Sequence, residues 1–334
     1  MKILIVDDSA LLRSILKQVL QSHADIKELY EATNGKQAVE MNRNINPNLI
    51  IMDITMPIMD GFEATEIIMK EHPAPVLILS NDVDSAASYR ALNLGALEVM
   101  KKPELDEFNN PAFFRDFIDK LKALASSDTP EKAPFPEAET PAVDGNSRFQ
   151  MIVVGASTGG PKALSRLLKP LPKKFPLGIV IVQHLETGFD ESFTQWLDGE
   201  TALAVRIARN NDVAGPGEAV VAPAGKHLVF DKKYLLFDDS PKILNQKPSV
   251  DKLFMSAARQ FESQLIGILL TGMGTDGAEG CVEIKARGGY TIAQDQTSST
   301  IFGMPRAAIE RKGATRVLPL DSIADFILRL TGQE

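Results

Sequence analysis

Apolar residues fall along this chain in short dense runs separated by amphipathic stretches. Runs at Ile3–Val6, Leu49–Met52 and Val76–Leu79 alternate with helix-period segments at Leu11–Leu20, Gly61–Lys70 and Ser85–Leu94. Strands buried on both faces read as continuous apolar runs, and their alternation with helices predicts a parallel sheet covered on both sides. From Ser126 to Arg148 the rhythm stops: SSDTPEKAPFPEAETPAVDGNSR scatters prolines among acidic and small residues without a periodic apolar face, and such a segment cannot supply a core. The rhythm resumes with runs at Met151–Val154, Leu177–Val182, Leu265–Leu270 and Arg316–Leu318, and helical patterns at Pro161–Leu168, Val250–Phe261 and Met304–Lys312. Between Arg206 and Phe237, short strand-like pieces punctuated by Gly and Pro, among them His227–Phe230 and Tyr234–Phe237, predict a small antiparallel excursion. The expected organisation is two α/β domains, residues 1–124 and 149–334, joined by a Pro-rich acidic linker over 125–148.

Composition narrows the function classes. A chain of 334 residues is long enough for two ordinary cores. The single cysteine, Cys281, excludes an internal disulfide and a Cys-rich zinc site, and no stretch approaches the roughly 18 uninterrupted apolar residues of a membrane helix. The expectation is a cytoplasmic protein without membrane insertion. The net charge of −8 is unevenly divided, with 14 Lys+Arg against 24 Asp+Glu in residues 1–146 and 22 against 20 in residues 147–334. Neither half concentrates basic residues as a nucleic-acid surface requires, so no nucleic-acid partner is expected.

In the front half, Asp7 and Asp8 follow the first predicted strand and Asp53 ends the third, which a doubly wound sheet would bring to its carboxyl edge, where such folds bind ligands. Carboxylates crowded there call for a hard divalent cation such as Mg²⁺; the plainer reading is that they cap turns and helices. Ser80 and Lys102 lie at the ends of two further strands and add a hydroxyl and an ammonium. With Met56-Pro57, Asp60-Gly61 and Lys102-Pro103, these residues closely resemble a response-regulator receiver domain over residues 1 to about 124. That resemblance implies a flavodoxin-like domain in which Asp53 takes a phosphoryl group from a histidine kinase, Asp7, Asp8 and Asp53 hold Mg²⁺, and Ser80 and Lys102 contact the phosphoryl oxygens. Val99 departs from the pattern, standing where the family commonly carries an aromatic residue.

In the back half, Met151-Ile-Val-Val-Gly-Ala-Ser157-Thr-Gly-Gly-Pro161 reads as strand, glycine-rich turn and helix start. Ser157 would project from the turn as a nucleophile, with free N–H groups nearby to hold an oxyanion; a phosphate cradle in a nucleotide-binding fold would use the same turn. That second reading predicts an acidic ribose partner at the next strand end, where Gln183-His184 stands instead. A serine nucleophile needs a base, and His184, at the end of Leu177–Val182, is better placed than His227 in the expected hairpin. The orienting carboxylate is Asp251, Asp276 or Asp295, of which Asp276 follows an apolar run and so sits at a strand end. The order Ser, His, Asp differs from that of the α/β-hydrolases and predicts a triad on another sheet topology.

Gly155-Ala-Ser-Thr-Gly-Gly160, Gln183-His184, Ala222-Pro223 with Lys226-His227-Leu228, Pro248-Ser-Val-Asp251, Leu270-Thr-Gly-Met-Gly274 with Asp276-Gly277, and Phe302-Gly-Met-Pro-Arg306 resemble the chemotaxis methylesterase domain. Together with the receiver, they resemble the CheB family of protein-glutamate methylesterases over nearly the whole chain. The resemblance implies a Rossmann-like catalytic domain with Ser157 as nucleophile, His184 as base and acid, Asp276 orienting it, and Thr158 and Met273 beside the reacting atoms. It also implies glutamate γ-methyl esters of chemoreceptors as substrate, receptor glutamines as a second substrate, no cofactor for the esterase, and a chemotaxis histidine kinase as phosphodonor. Its regulatory corollary is an unphosphorylated receiver that covers the Ser157 edge until Asp53 is phosphorylated.

Overall fold

The computed structural model describes residues 1–81, 86–104, 106–126 and 149–333; the expected linker lies, from residue 127 onward, outside them. The chain divides into two compact units, residues 1–129 and 130–334.

In the first unit, β1 (Lys2–Val6), α1 (Ala10–Gln21), β2 (Glu28–Ala32), α2 (Gly35–Ile45), β3 (Leu49–Asp53), α3 (Gly61–Glu71), β4 (Val76–Ser80), α4 (Ala86–Asn93), β5 (Glu98–Lys101) and α5 (Pro111–Ala125) alternate without interruption. The five strands are parallel in the order β2-β1-β3-β4-β5, the flavodoxin-like doubly wound order. Ile3, Ile5, Leu49, Ile51, Leu77 and Leu79 pack from the sheet onto Leu16, Leu20, Phe117 and Leu121. Side-chain caps start the helices: Ser9, Asn34, Asp60 and Asn110 each accept a main-chain N–H from the first turn of α1, α2, α3 and α5.

The second unit runs β6 (Met151–Ala156), α6 (Gly160–Leu168), β7 (Gly178–Gln183), α7 (Asp190–Glu200), β8 (Ala204–Ile207), β9 (Glu218–Val221), β10 (His227–Asp231), β11 (Tyr234–Asp238), α8 (Val250–Phe261), β12 (Leu265–Leu269), α9 (Ala278–Ala286), β13 (Tyr290–Gln294), α10 (Met304–Glu310), β14 (Arg316–Leu318) and α11 (Leu320–Leu330). Seven strands form a parallel sheet in the order β14-β13-β12-β6-β7-β9-β8, and β10 pairs with β11 as an antiparallel hairpin. The antiparallel excursion is therefore smaller than the Arg206–Phe237 pattern suggested, because β8 and β9 join the main sheet in parallel. From β6 the chain winds first toward β7 and later back toward β12, so the order reverses between β6 and β12. Loops leaving the carboxyl ends of central strands diverge at such a point and open a crevice.

Candidate active site

The register of the sheet sets up the catalytic edge. Ala156 pairs with Gln183 across β6 and β7, so Ser157 and His184 are the next residues on adjacent strands, and the His184 N–H donates to the Ala156 carbonyl at 3.1 Å. On the other side of β6, the Leu270 N–H donates to the Gly155 carbonyl at 2.9 Å and the Ser157 N–H to the Thr271 carbonyl at 3.0 Å. The Asp276 loop is thereby stitched to the nucleophile turn.

That turn demands glycine. Gly159 has φ +74°, and a Cβ added at Gly160 would lie 2.0 Å from Gln183 Oε1. The close approach serves a purpose: Gln183 Nε2 donates to the carbonyls of both Ser157 (2.9 Å) and His184 (3.0 Å), clamping the two turns together. Pro161 then fixes the first turn of α6. The Thr158 carbonyl accepts the Thr271 hydroxyl at 3.0 Å, and the Thr271 N–H donates to Gln294 Oε1 at 2.7 Å. Met273, partly exposed, follows Gly272, and Gly272 is braced by Gly303 and Met304, whose N–H groups both donate to its carbonyl. The Phe302–Arg306 segment therefore acts through packing and a helix start.

His184 Nε2 lies 2.9 Å from Asp276 Oδ2, and both side chains are buried. Asp276 is also held from the start of α8. Oδ1 accepts the Ser249 hydroxyl and the Asp251 N–H, each at 2.9 Å, while Oδ2 accepts the Val250 N–H at 2.7 Å. Burial pushes this carboxyl up, but the His184 contact and the helix-start amides win and hold it below the usual range, hence ionised at neutral pH. An ionised acceptor at Oδ2 requires Nε2 to carry the ring proton. Nδ1 then keeps its lone pair, and it is buried with no hydrogen-bond partner among the described residues. Ser157 and His184 thus lie side by side at adjacent strand ends, with no hydrogen bond on His184 Nδ1 among the described residues.

The other candidates separate cleanly. Asp251 accepts the Gly280 N–H at 2.7 Å, and burial raises its carboxyl to about 6. Asp295 closes its own turn onto Thr297 and Ser298. His227 bonds the Ser249 N–H and the Pro241 carbonyl. Sequence reasoning passed over Gln183, Ser249 and Gln294 as supports; only Ser249 carried a signal, as a serine directly before a helical pattern.

At the carboxyl edge of the receiver sheet, Lys102 Nζ sits 2.8 Å from Asp7 Oδ2 and 2.7 Å from Asp53 Oδ2. Asp7, Asp8 and Asp53 offer oxygens within 4.8 Å of one another, Asp8 from an exposed position. Burial pushes the Asp53 carboxyl up beyond what Lys102 takes off, whereas the Lys102 ammonium, shared by two carboxylates, is raised in spite of its own burial. Ser80 ends β4 at the same edge, buried, with the Ser88 hydroxyl 3.4 Å away. Val99, buried in β5, pairs with Ile78.

Comparison with known proteins agrees with this layout. The family described as CheB methylesterase matches residues 152–327, and the response regulator receiver domain matches residues 3–109. A protein-glutamate methylesterase/protein-glutamine glutaminase of Anaeromyxobacter dehalogenans is 39% identical over 99% of this chain and 97% of its own length. One from Methanospirillum hungatei is 38% identical over 99% and 98%. The CheB methylesterase catalytic domain of Thermotoga maritima, 38% identical, superimposes on 55% of this chain and 98% of its own with a TM-score of 0.54. With full-length relatives at this identity and a catalytic-domain match over more than half its residues, the chain belongs to the CheB methylesterase family, carrying a receiver domain ahead of the catalytic one.

Proposed function

We propose that this protein is a phosphorylation-activated protein-glutamate methylesterase that hydrolyses glutamate γ-methyl esters on the cytoplasmic helices of chemoreceptors, and deamidates receptor glutamines at the same site. The observation that carries the reading is the His184–Asp276 hydrogen bond at Nε2, which leaves the buried, unpartnered Nδ1 as the base one strand away from Ser157. His184 Nδ1 takes the Ser157 proton as Oγ attacks the ester carbonyl, and Asp276 stabilises the imidazolium that forms. Main-chain donors at the Thr158 turn, beside the Met273 loop, hold the oxyanion, each such donor contributing about 10²–10³ in rate. Methanol leaves with the proton from His184. Water, deprotonated by the same nitrogen, then hydrolyses the acyl-enzyme to the free glutamate. An amide passes through the same tetrahedral geometry and releases ammonia.

In the receiver, Asp53 is the phosphoryl acceptor, with Ser80 and Lys102 contacting the transferred group and a chemotaxis histidine kinase as donor. The all-oxygen donor set of Asp7, Asp8 and Asp53 suits Mg²⁺, which would neutralise charge on the incoming phosphoryl group. Among the described residues no helix is long and apolar enough to cross a membrane, which supports a cytoplasmic protein acting on the inner faces of receptors. Methanol release from methylated receptor fragments tests the whole reading. Wild type is expected to release it, faster with Mg²⁺ and a small-molecule phosphodonor, and Ser157→Ala to release none; release by Ser157→Ala at the wild-type rate would refute it.

A further inference from the structure

Two features singled out in the sequence have no part in the steps above: His227, and the segment Pro248-Ser249-Val250-Asp251. They meet behind the active site. His227 opens β10 and is fully buried. Its Nδ1 lies 3.1 Å from the Ser249 main-chain nitrogen and its Nε2 lies 3.1 Å from the Pro241 carbonyl. A main-chain N–H only donates and a carbonyl only accepts, so the ring is neutral with its proton on Nε2. Ser249 is the N-cap of α8: its Oγ accepts the Lys252 N–H and donates to Asp276 Oδ1. Three of the four hydrogen bonds on Asp276 thus come from residues 249–251, the segment whose first N–H is anchored on the His227 ring.

We infer that His227 is a positioning residue for the reaction: through Ser249 it fixes the first turn of α8, and that turn holds the Asp276 carboxylate at the angle His184 needs. The inference rests on the reading of Ser157, His184 and Asp276 as the reacting triad. An ordinary N-cap needs only a hydroxyl that accepts, whereas the Ser249 hydroxyl both accepts from its own helix and donates outward. Helix and carboxylate therefore move as one body. Burial above all keeps the ring neutral, against the pull of the Pro241 carbonyl on its N–H. Lys252 and Lys247 also oppose a second proton, and Asp238, which would favour one, is engaged by Lys252 and Ser240. Protonation would turn an N–H against the Ser249 N–H and release the cap. Because the pKa is depressed, the anchored state is complete above the ordinary histidine range and is lost only as pH falls through the lowered value.

The test uses the full chain, with kcat and KM for methanol release measured from about pH 5 to 9, a span that brackets the histidine range. Ser249→Ala, which loses a charge-assisted hydrogen bond to Asp276, and His227→Leu, which orphans the buried Ser249 N–H that starts the turn, are each expected to lower kcat by about 10-fold or more with KM nearly unchanged. Ser249→Ala should move the acid limb of the kcat profile upward, since a carboxylate with fewer donors binds an imidazolium more tightly, and His227→Leu should do the same in so far as it pulls the Ser249–Asp251 turn off Asp276. The double variant should lose no more than the worse single one, as coupled sites do. Ser249→Thr, which keeps the hydroxyl, and His227→Asn, which keeps an acceptor in the Nδ1 position, should recover activity. Wild-type kcat in Ser249→Ala, multiplying losses in the double variant, or losses with an unmoved acid limb and no recovery would each overturn the positioning role. Ser157→Ala separates the two levels: if it is inactive while Ser249→Ala is at wild type, only the positioning role falls, and if it is active the triad reading falls as well.

Discussion

Asp276→Asn is the substitution for which the structure makes the sharpest demand. The carboxylate accepts four hydrogen bonds, from the Ser249 hydroxyl and the Asp251, Val250 and His184 N–H groups. An amide has one accepting oxygen. With its NH₂ at the Oδ1 position, the Asp251 N–H faces a donor; at the Oδ2 position, the Val250 N–H does, and His184 must turn Nε2 into an acceptor. Either way a buried main-chain donor is orphaned, at a cost of about 1–3 kcal/mol. Loss of negative charge at the start of α8 adds about 0.3–1 kcal/mol. At about 2–4 °C per kcal/mol for a domain of this size, Tm should fall by roughly 3–15 °C. The catalytic cost is larger. In the second placement the ring proton moves to Nδ1 and the base disappears, an effect that in a serine-protease triad lowers kcat by about 10⁴. Methanol release corrected for folded fraction, beside a melting curve, measures both. Because the Asp276 pKa is depressed, its contribution is complete above the ordinary carboxylate pKa, about 3.9, and is lost only as pH falls through the folded value. The Tm gap should therefore be flat across neutral pH. A folded Asp276→Asn enzyme within about 10-fold of wild-type kcat would refute the second placement and show that the amide keeps its oxygen on the His184 side.

Other substitutions probe the supports. Asp251 is buried with a pKa near 6, so ionising it above that pH opposes folding by about 3 kcal/mol; Asp251→Asn should gain Tm on wild type as pH rises from 5 to 8, and a pH-independent difference would contradict this. Gly160→Ala places a methyl 2.0 Å from Gln183 Oε1 and 2.9 Å from the Ala156 Cβ; kcat should drop at least about 10-fold while the receiver still takes up phosphate, and unchanged kcat would sink the clamp. Lys102→Met leaves Asp7 and Asp53 without their shared cation, which should cost the receiver about 3–5 kcal/mol in urea denaturation under chelator at neutral pH, less in acid where the carboxylates protonate. An unmoved denaturation midpoint would show that the ammonium holds nothing.

Much of this architecture was legible in the chain because parallel sheets write their strands as apolar runs. Leu49–Asp53, Val76–Ser80, Met151–Ala156 and Leu265–Leu269 are buried at every position and bounded by polar turns. Glu28–Ala32 escaped notice because its outward positions are polar, as an edge strand allows. The Ala204–Ile207 and Glu218–Val221 strands do not stand out because they are short and lie among Gly and Pro, and only pairing reveals that they extend the parallel sheet beside the expected hairpin. At the site, Asp276 stands six residues past Leu270 in a Gly-rich loop and is marked only by that loop, whereas Ser157 and His184 directly follow buried strands and so announce themselves. Ser249 and His227 do not: they lie 27 and 49 positions from Asp276, and only the packing of α8 against β10 and α9 brings the three together.

Ser157 and His184 come from one strand–helix–strand unit, with Gln183 reaching back only 26 residues to Ser157, whereas Asp276 lies 92 residues beyond His184. A ribosome adding roughly 5–20 residues per second spends about 5–18 s on that interval. During it the nascent chain holds Ser157 and His184 without the Asp276 carboxylate that the proposed triad needs, and on that proposal it is silent toward esters. Hydrolytic competence arrives late in synthesis, in one step, when the loop after the fifth strand of the catalytic sheet to be made closes onto a helix start already waiting for it.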